Sequence, residues 1–199
     1  MKQRIEEAKK ILLDNRKNGY TLPTNNKLYP AQWNWDSAFI ALGYSYFNLD
    51  YALEEMETLL AGQWDDGMVP HILFHDNDTT YFPNHTTWKC GKNIPSSGIT
   101  QPPVIASILK IILGNQQINE GQNNRVVQII KKIKKYHDWF IKFRDPNKTG
   151  LISILHPWES GYDNSPIWDV PMSNINVDKE LHYQRRDLEV SNSDERPLK

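Results

Sequence analysis

The stretch Gln122-Asn123-Asn124-Arg125-Val126-Val127-Gln128-Ile129-Ile130-Lys131-Lys132-Ile133-Lys134-Lys135-Tyr136-His137-Asp138-Trp139-Phe140-Ile141-Lys142-Phe143 decides the fold class of this 199-residue chain. Val126, Val127, Ile129, Ile130, Ile133, Tyr136, His137, Phe140 and Ile141 recur at steps of three and four, while Lys131, Lys132, Lys134 and Lys135 fall on the other side. That period predicts a long helix with one buried and one solvated face. The lysine run is a solvated helix face.

Working outward, the same period returns and strict two-residue alternation does not. A first helix over 3–17 carries Ile5, Ala8, Ile11, Leu12 and Leu13, and Gly19 stops it. A second is expected from a cap at Asp36 or Ser37, with Phe39, Ile40, Leu42, Gly43, Tyr46 and Phe47 on its apolar side. Asp50 is expected to cap a third, with Glu54 and Glu55 near its positive end, Leu53, Met56, Leu59 and Leu60 inward, and Gly62 at its stop. Gln101-Pro102-Pro103 opens a fourth over 104–113, apolar on most sides and therefore buried, with Gly114 just beyond. After a turn at 145–150, further helices are expected near Ser165 or Pro166 and over 179–188, and residues 191–199 read as a frayed tail. The connection over 63–98 is long and irregular, the kind that is usually functional or flexible. Residues 1–190 are thus expected to be all-α, helical hairpins that carry long loops on one face.

Composition narrows the function classes. A net charge of −1 with 39% hydrophobic residues describes a folded domain without the basic excess of a nucleic-acid binder. No apolar run approaches the roughly 20 residues of a membrane span. The charged start lacks a signal peptide's apolar core, and the lone Cys90 fits a reducing compartment, so a cytoplasmic location is expected. The seven tryptophans are the unusual feature. Trp33, Trp35, Trp64, Trp88 and Trp158 stand at loop edges, where a flat apolar face can meet a polar ligand such as a sugar.

The segment Leu155-His156-Pro157-Trp158-Glu159-Ser160-Gly161-Tyr162-Asp163-Asn164-Ser165-Pro166 holds two carboxylates among aromatics, glycine and proline. It reads as a shaped loop. An acid against Trp158 or Tyr162 would have its charged form disfavoured and could act as a general acid. The alternative is that Asp163 or Asn164 only caps the following helix. His71 and His75, with Asp76, Asp78 and His85 nearby, have metal-like spacing, but Pro70 argues against a helix and no glutamate follows the first histidine. No metal is assigned. Asp145, Asn147, Thr149 and Gly150 imitate the start of a calcium loop, but His156 stands where its bidentate glutamate belongs, so a turn is expected. Cys90 has no histidine at a spacing that would make it a nucleophile.

Four blocks carry a family resemblance. They are Tyr29-Pro30-Ala31-Gln32-Trp33-Asn34-Trp35-Asp36-Ser37-Ala38-Phe39; Gly62-Gln63-Trp64-Asp65-Asp66-Gly67-Met68-Val69-Pro70-His71-Ile72; Gly98-Ile99-Thr100-Gln101-Pro102-Pro103; and His156 to Pro166. Their types and order resemble the mannosylglycerate hydrolase-like branch of glycoside hydrolase family 63, related more distantly to trehalases. The resemblance implies an (α/α)6 toroid of six helical hairpins and cleavage of an α-glycosidic bond with inversion. It implies that Asp163 is the general acid and that Tyr29, Trp33, Trp35, Asp36, Gln101 and Trp158 line the sugar site, with His71 nearby. Glu159 joins this set as the loop's hydrogen-bonded support more than as an acid acting on substrate. Inversion needs a second carboxylate about 6.5–9.5 Å from the first, and the resemblance places that base in a later part of the toroid. Glu180, Glu189 and Glu195 stand in no matching block. The chain therefore reads as the first half of such an enzyme, without its base and without cofactor. Its expected partners are a small saccharide substrate and, across exposed apolar helix faces, a second copy or a complementing C-terminal half. The rival class is a saccharide-binding fragment that does not hydrolyse.

Overall fold

The computed structural model describes residues 2–24, 28–76 and 78–174. The helix expected over 179–188, the tail over 191–199 and residues 175–190 of the expected domain lie outside the described residues. The architecture is mostly helical, as expected: α1 (Lys2–Asn15), α2 (Asn34–Ser45), α3 (Leu49–Ala61), α4 (His85–Trp88), α5 (Ile105–Asn115), α6 (Glu120–Arg144) and α7 (Asp169–Ser173). Two-residue strands β1 (Gln32–Trp33) and β2 (Ile72–Leu73) pair antiparallel, with Gln32 opposite Leu73 and Trp33 opposite Ile72. Strands this short leave no period to read.

The core is a layer of helices in which α2 packs on α3 and α5, and α3 on α6. The fully buried side of α2 is Ala38, Ala41 and Tyr44; of the bulky residues expected inward, Ile40, Leu42 and Phe47 pack partly against the core, while Phe39 and Tyr46 are exposed. Small residues let the α2 backbone approach Leu53, Met56, Leu59 and Leu60 of α3, which are fully buried. The capping expectations also need correction. Neither Asp36 nor Ser37 is a cap, because α2 begins at Asn34, and Asn48 rather than Asp50 caps α3 by accepting from the Tyr51 N–H. Gly114 lies inside α5 rather than beyond it. Asn119 and Gln122 form a reciprocal capping box that starts α6.

The stripe expected on α1 is mostly uncovered: Ile5, Ile11 and Leu13 are exposed, and Leu12 packs against the core. α6 has a wider apolar arc than its packing uses. Val126, Ile129, Ile133, Tyr136 and Phe140 are buried, while Val127, Ile130 and Ile141, one residue further round the helix, are exposed. Ile111 of α5 is exposed as well. No described helix is long and apolar enough to cross a membrane.

Between α3 and α5 the chain is irregular, yet its backbone is tied down. His71 N–H donates to Ile99 O (2.7 Å), Ser97 N–H to Ile72 O (3.0 Å) and Asn34 N–H to His71 O (3.0 Å). These bonds weave the β2 region, the Ser96–Thr100 segment and the start of α2 into one floor.

Candidate active site

That floor opens into a cavity of about 390 Å³ lined by Tyr29, Trp33, Trp35, Asp36, His71, Tyr81, Phe82, Gln101, Trp158, Gly161, Asp163 and Asn164, with Pro23, Thr24 and Leu28 at its rim. Of the tryptophans expected at a ligand surface, Trp33, Trp35 and Trp158 are there. Trp64 instead packs on the helical core and donates its Nε1–H to Ser96 Oγ (3.1 Å), and Trp88 packs behind the floor on the cluster of Ala31, Trp33, Ile72 and Phe74.

Trp33 is the pivot of the aromatic wall. Tyr29 meets it edge-on at 5.0 Å, Tyr81 at 5.2 Å and His71 at 6.4 Å, and His71 in turn lies 5.9 Å from Trp158. Gln101 fixes the next residue, its Oε1 accepting from the Trp35 N–H at 3.0 Å. Tyr81 and Phe82 were not foreseen. They sit in the irregular connection, where no period marks a residue as facing a site.

Two carboxylates line the cavity, Asp36 in the first turn of α2 and Asp163 beyond the short turn Pro157–Ser160. Burial pushes the Asp36 carboxyl up to about 6; hydrogen bonds to its own backbone and Trp35 pull it down, and the nearby charge of Asp163 adds to the rise. His71 is driven the other way, to about 3, by burial and by His156, so its ring is neutral near pH 7. Among the described residues its buried Nδ1 has no hydrogen-bond partner.

Glu159, grouped with the sugar-site residues as the support of their loop, is not among the residues that line the cavity. Its buried carboxylate receives both guanidinium nitrogens of Arg144 (3.0 and 2.5 Å), the Leu155 N–H (2.7 Å) and the Thr100 N–H (3.3 Å). Arg144 also lies over the Trp139 ring at 4.9 Å. One carboxylate thus binds the Asp163 loop to the end of α6 and to the segment carrying Gln101. Tyr162, expected beside Asp163 as a wall, points away and is exposed. Gly161 has φ +73°, and a Cβ built there would stand 2.5 Å from the edge of the Trp35 ring. Glycine here is both a left-handed corner and a place for that ring.

His71 and His75 do not converge. His71 faces Trp33 and Trp158, whereas His75 stacks on Tyr20 and bonds Gln32. Among the described residues no group of three or more His, Cys, Asp or Glu side chains is placed to hold a metal ion. Asp145 closes the expected turn, accepting from the N–H groups of Thr149 and Gly150 at 2.8 Å each.

Comparison with known proteins gives a consistent answer. The chain is 42% identical over 198 residues to mannosylglycerate hydrolase MGH2 of Selaginella moellendorffii, covering 99% of this chain and 40% of that one. It is 36% identical over 183 residues to the glucosylglycerate hydrolase of Mycolicibacterium hassiacum, covering 85% of this chain and 41% of the relative. Among solved structures, the mannosylglycerate hydrolase of glycoside hydrolase family 63 from Thermus thermophilus, in complex with Tris, superposes with a TM-score of 0.89 at 41% identity, over 98% of this chain and 46% of that chain. The chain spans less than half the length of these relatives. The model of the mannosylglycerate hydrolase MGH1-like glycoside hydrolase domain matches residues 29–199, and the chain belongs to that family.

Proposed function

We propose that the cavity is the sugar-binding and acid-donating part of a site that hydrolyses an α-linked glucosyl or mannosyl glycerate with inversion. The observation that carries this reading is the convergence of two carboxylates, three tryptophans and a neutral buried histidine on one cavity. Trp33, Trp35 and Trp158 offer flat faces to a sugar ring. Asp36 and the neutral His71, whose buried Nδ1 lacks a hydrogen-bond partner among the described residues, suit pairing with hydroxyl groups rather than with a charged ligand. Gln101, its carbonyl oxygen committed to Trp35, offers its amide N–H groups.

In this reading Asp163 protonates the departing oxygen as the C–O bond breaks, and a second carboxylate takes a proton from water attacking the opposite face of the sugar. That base comes from outside the described residues. The exposed Val127, Ile130 and Ile141 of α6 are the face on which a second copy or further hairpins of the toroid would pack. The single Cys90 suits a cytoplasmic setting.

The test is hydrolysis of mannosylglycerate, glucosylglycerate and simple α-glucosides and α-mannosides by the 199-residue chain and its Asp163→Asn variant. With its base missing, the parent chain is expected to bind saccharide without turnover. Turnover that Asp163→Asn abolishes supports the acid assignment and means that a base is supplied within the chain or by a second copy. Turnover retained in the variant overturns the acid assignment. Saccharide binding without turnover in either protein also fits the non-hydrolysing reading.

A further inference from the structure

Behind the aromatic wall lies a carboxyl group that the proposed chemistry does not use. Glu55, midway along α3, is 2% exposed rather than on the solvated helix start where its sequence position suggested. Its Oε1 accepts from Ser37 Oγ at 2.6 Å and from Gln32 Nε2 at 2.9 Å. Gln32 Nε2 makes a second bond to the backbone oxygen of Glu55, at 3.2 Å. Each donor adjoins a cavity residue. Gln32 precedes Trp33 and Ser37 follows Asp36.

We propose that Glu55 is a positioning residue for the sugar-facing wall, its buried carboxylate locking the start of α2 and strand β1 in one register. The proposal takes the cavity as the sugar site. Apolar packing of α2 on α3 needs no carboxylate, and an aliphatic side chain at this position would pack there too. What the carboxylate adds is acceptance from β1 and the start of α2 at once. It also sets a direction of hydrogen bonding. Because Gln32 gives its NH2 to Glu55, its Oε1 is left to accept from His75 Nε2, 2.7 Å away, which fixes the proton of that neutral ring on Nε2. The order continues outward, since His75 stacks on Tyr20 at 4.2 Å and Tyr20 donates to Asp76 at 2.9 Å.

The charged groups around Glu55 do not form an ion pair with it. Arg16, at the end of the α1 segment, is paired with Glu54 and lies over the Tyr51 ring; its field pulls the Glu55 carboxyl down. From α2, Tyr44 bonds the Thr21 hydroxyl at 3.0 Å, and His75 and Asp76 act through Gln32 and Tyr20. Burial outweighs these groups and pushes the carboxyl up to about 7. Below that pH a protonated Glu55 carries its own O–H and is a weaker acceptor for Ser37 and Gln32.

The experiment follows the indole N–H of Trp33 and the imidazole nitrogens of His75 by NMR between roughly pH 5.5 and 8.5, in the 199-residue chain and in its Glu55→Gln and Glu55→Leu variants. The Trp33 signal is expected to move with a midpoint of about 7 in the parent chain and to stay still in Glu55→Gln, which keeps the shape and an acceptor oxygen. Glucose titrations followed by tryptophan fluorescence should find Glu55→Gln within about threefold of the parent at high pH and Glu55→Leu weaker by about tenfold or more. Glu55→Leu should also lose the Nε2 proton preference of His75. A midpoint that persists in Glu55→Gln overturns the proposal. So does a Glu55→Leu variant with unchanged Trp33 and His75 signals. If the parent chain does not respond to glucose, the sugar reading falls, and the sugar-free spectra still decide the role of Glu55. If Glu55→Leu fails to fold, the Glu55→Gln comparison decides it.

Discussion

Glu159 and Glu55 are both buried carboxylates that hold part of one cavity in place, and they are held in unlike ways. Glu159 faces a guanidinium, with two backbone N–H groups completing its shell. Glu55 faces an amide and a hydroxyl, with the Arg16 guanidinium engaged elsewhere. A buried ion pair is internally neutral, but removing either partner strands a charge. A carboxylate among neutral donors leaves no charge stranded when one donor goes, and it answers to pH instead. The Asp163 loop is therefore clamped by a charge pair, and the tryptophan wall by a carboxyl that burial pushes up to about 7.

The largest test of this contrast removes one partner of the clamp. Arg144→Met leaves Glu159 charged and buried, and should cost about 3–5 kcal/mol in urea unfolding. The double variant Arg144→Met/Glu159→Gln should recover a good part of that loss. If the single variant costs no more than the double one, the clamp is a passive contact.

The next test turns on sign. The Glu55 carboxyl titrates at about 7 when folded, against an ordinary value of 4.5. A folded-state value above the unfolded one means that the native state holds the proton more tightly across that window. The stability contribution is therefore greatest below the unfolded value, falls as pH rises through the window, and is flat above about 7. Glu55→Gln should remove this slope, gaining on the parent by about 3 kcal/mol between the lower and upper ends of the window. His71 acts in the opposite sense, because its ring is held at about 3 against 6.5, so its contribution is lost as pH falls from 6.5. The two slopes oppose each other in the parent chain between about pH 4.5 and 6.5, and the difference between parent and variant isolates Glu55.

A smaller effect is expected at the joint between the two walls. The buried Tyr136 hydroxyl accepts from Asn34 Nδ2 (3.1 Å), donates to Gln101 O (2.9 Å) and lies 2.5 Å from Thr100 Oγ1. Tyr136→Phe leaves those groups short of a partner and should cost about 1–3 kcal/mol, read as a lowered midpoint of urea unfolding.

How much of this was legible beforehand depended on the kind of signal. The 3.6-residue period marked α3 and α6 because their inward faces are long and branched, and the Trp-rich blocks marked Trp33, Trp35 and Trp158 because they stand beside turn residues. The inward face of α2 was misread in part because Ala38 and Ala41 are smaller than Phe39, so a search for bulk passes over them. Val127, Ile130 and Ile141 belong to the same apolar arc as the buried face, and only the packing partners present decide which part is covered. Pairs such as Arg144–Glu159 and Gln32–Glu55 join segments whose proximity is a property of the whole fold. Asn48 and Asn119 were passed over as caps because neighbouring acidic or helix-forming residues satisfied the same rule. Tyr81 and Phe82 carry no local mark at all.

The finest comparison lies within the Asp163 loop. Gly161 and Gly150 both have left-handed backbones, at φ +73° and +79°, but a Cβ on Gly150 would meet nothing within 4 Å, whereas one on Gly161 would press on the Trp35 ring. Alanine at either position costs about 1 kcal/mol through backbone conformation alone. At Gly161 the ring must also move, and because Trp35 lines the cavity the open direction for it is inward. Gly161→Ala and Gly150→Ala should therefore lose similar stability in urea, while glucose affinity falls by about tenfold in the first and stays unchanged in the second. Equal glucose affinity in both would mean that the ring yields without entering the cavity, and that the glycine is required for the turn alone.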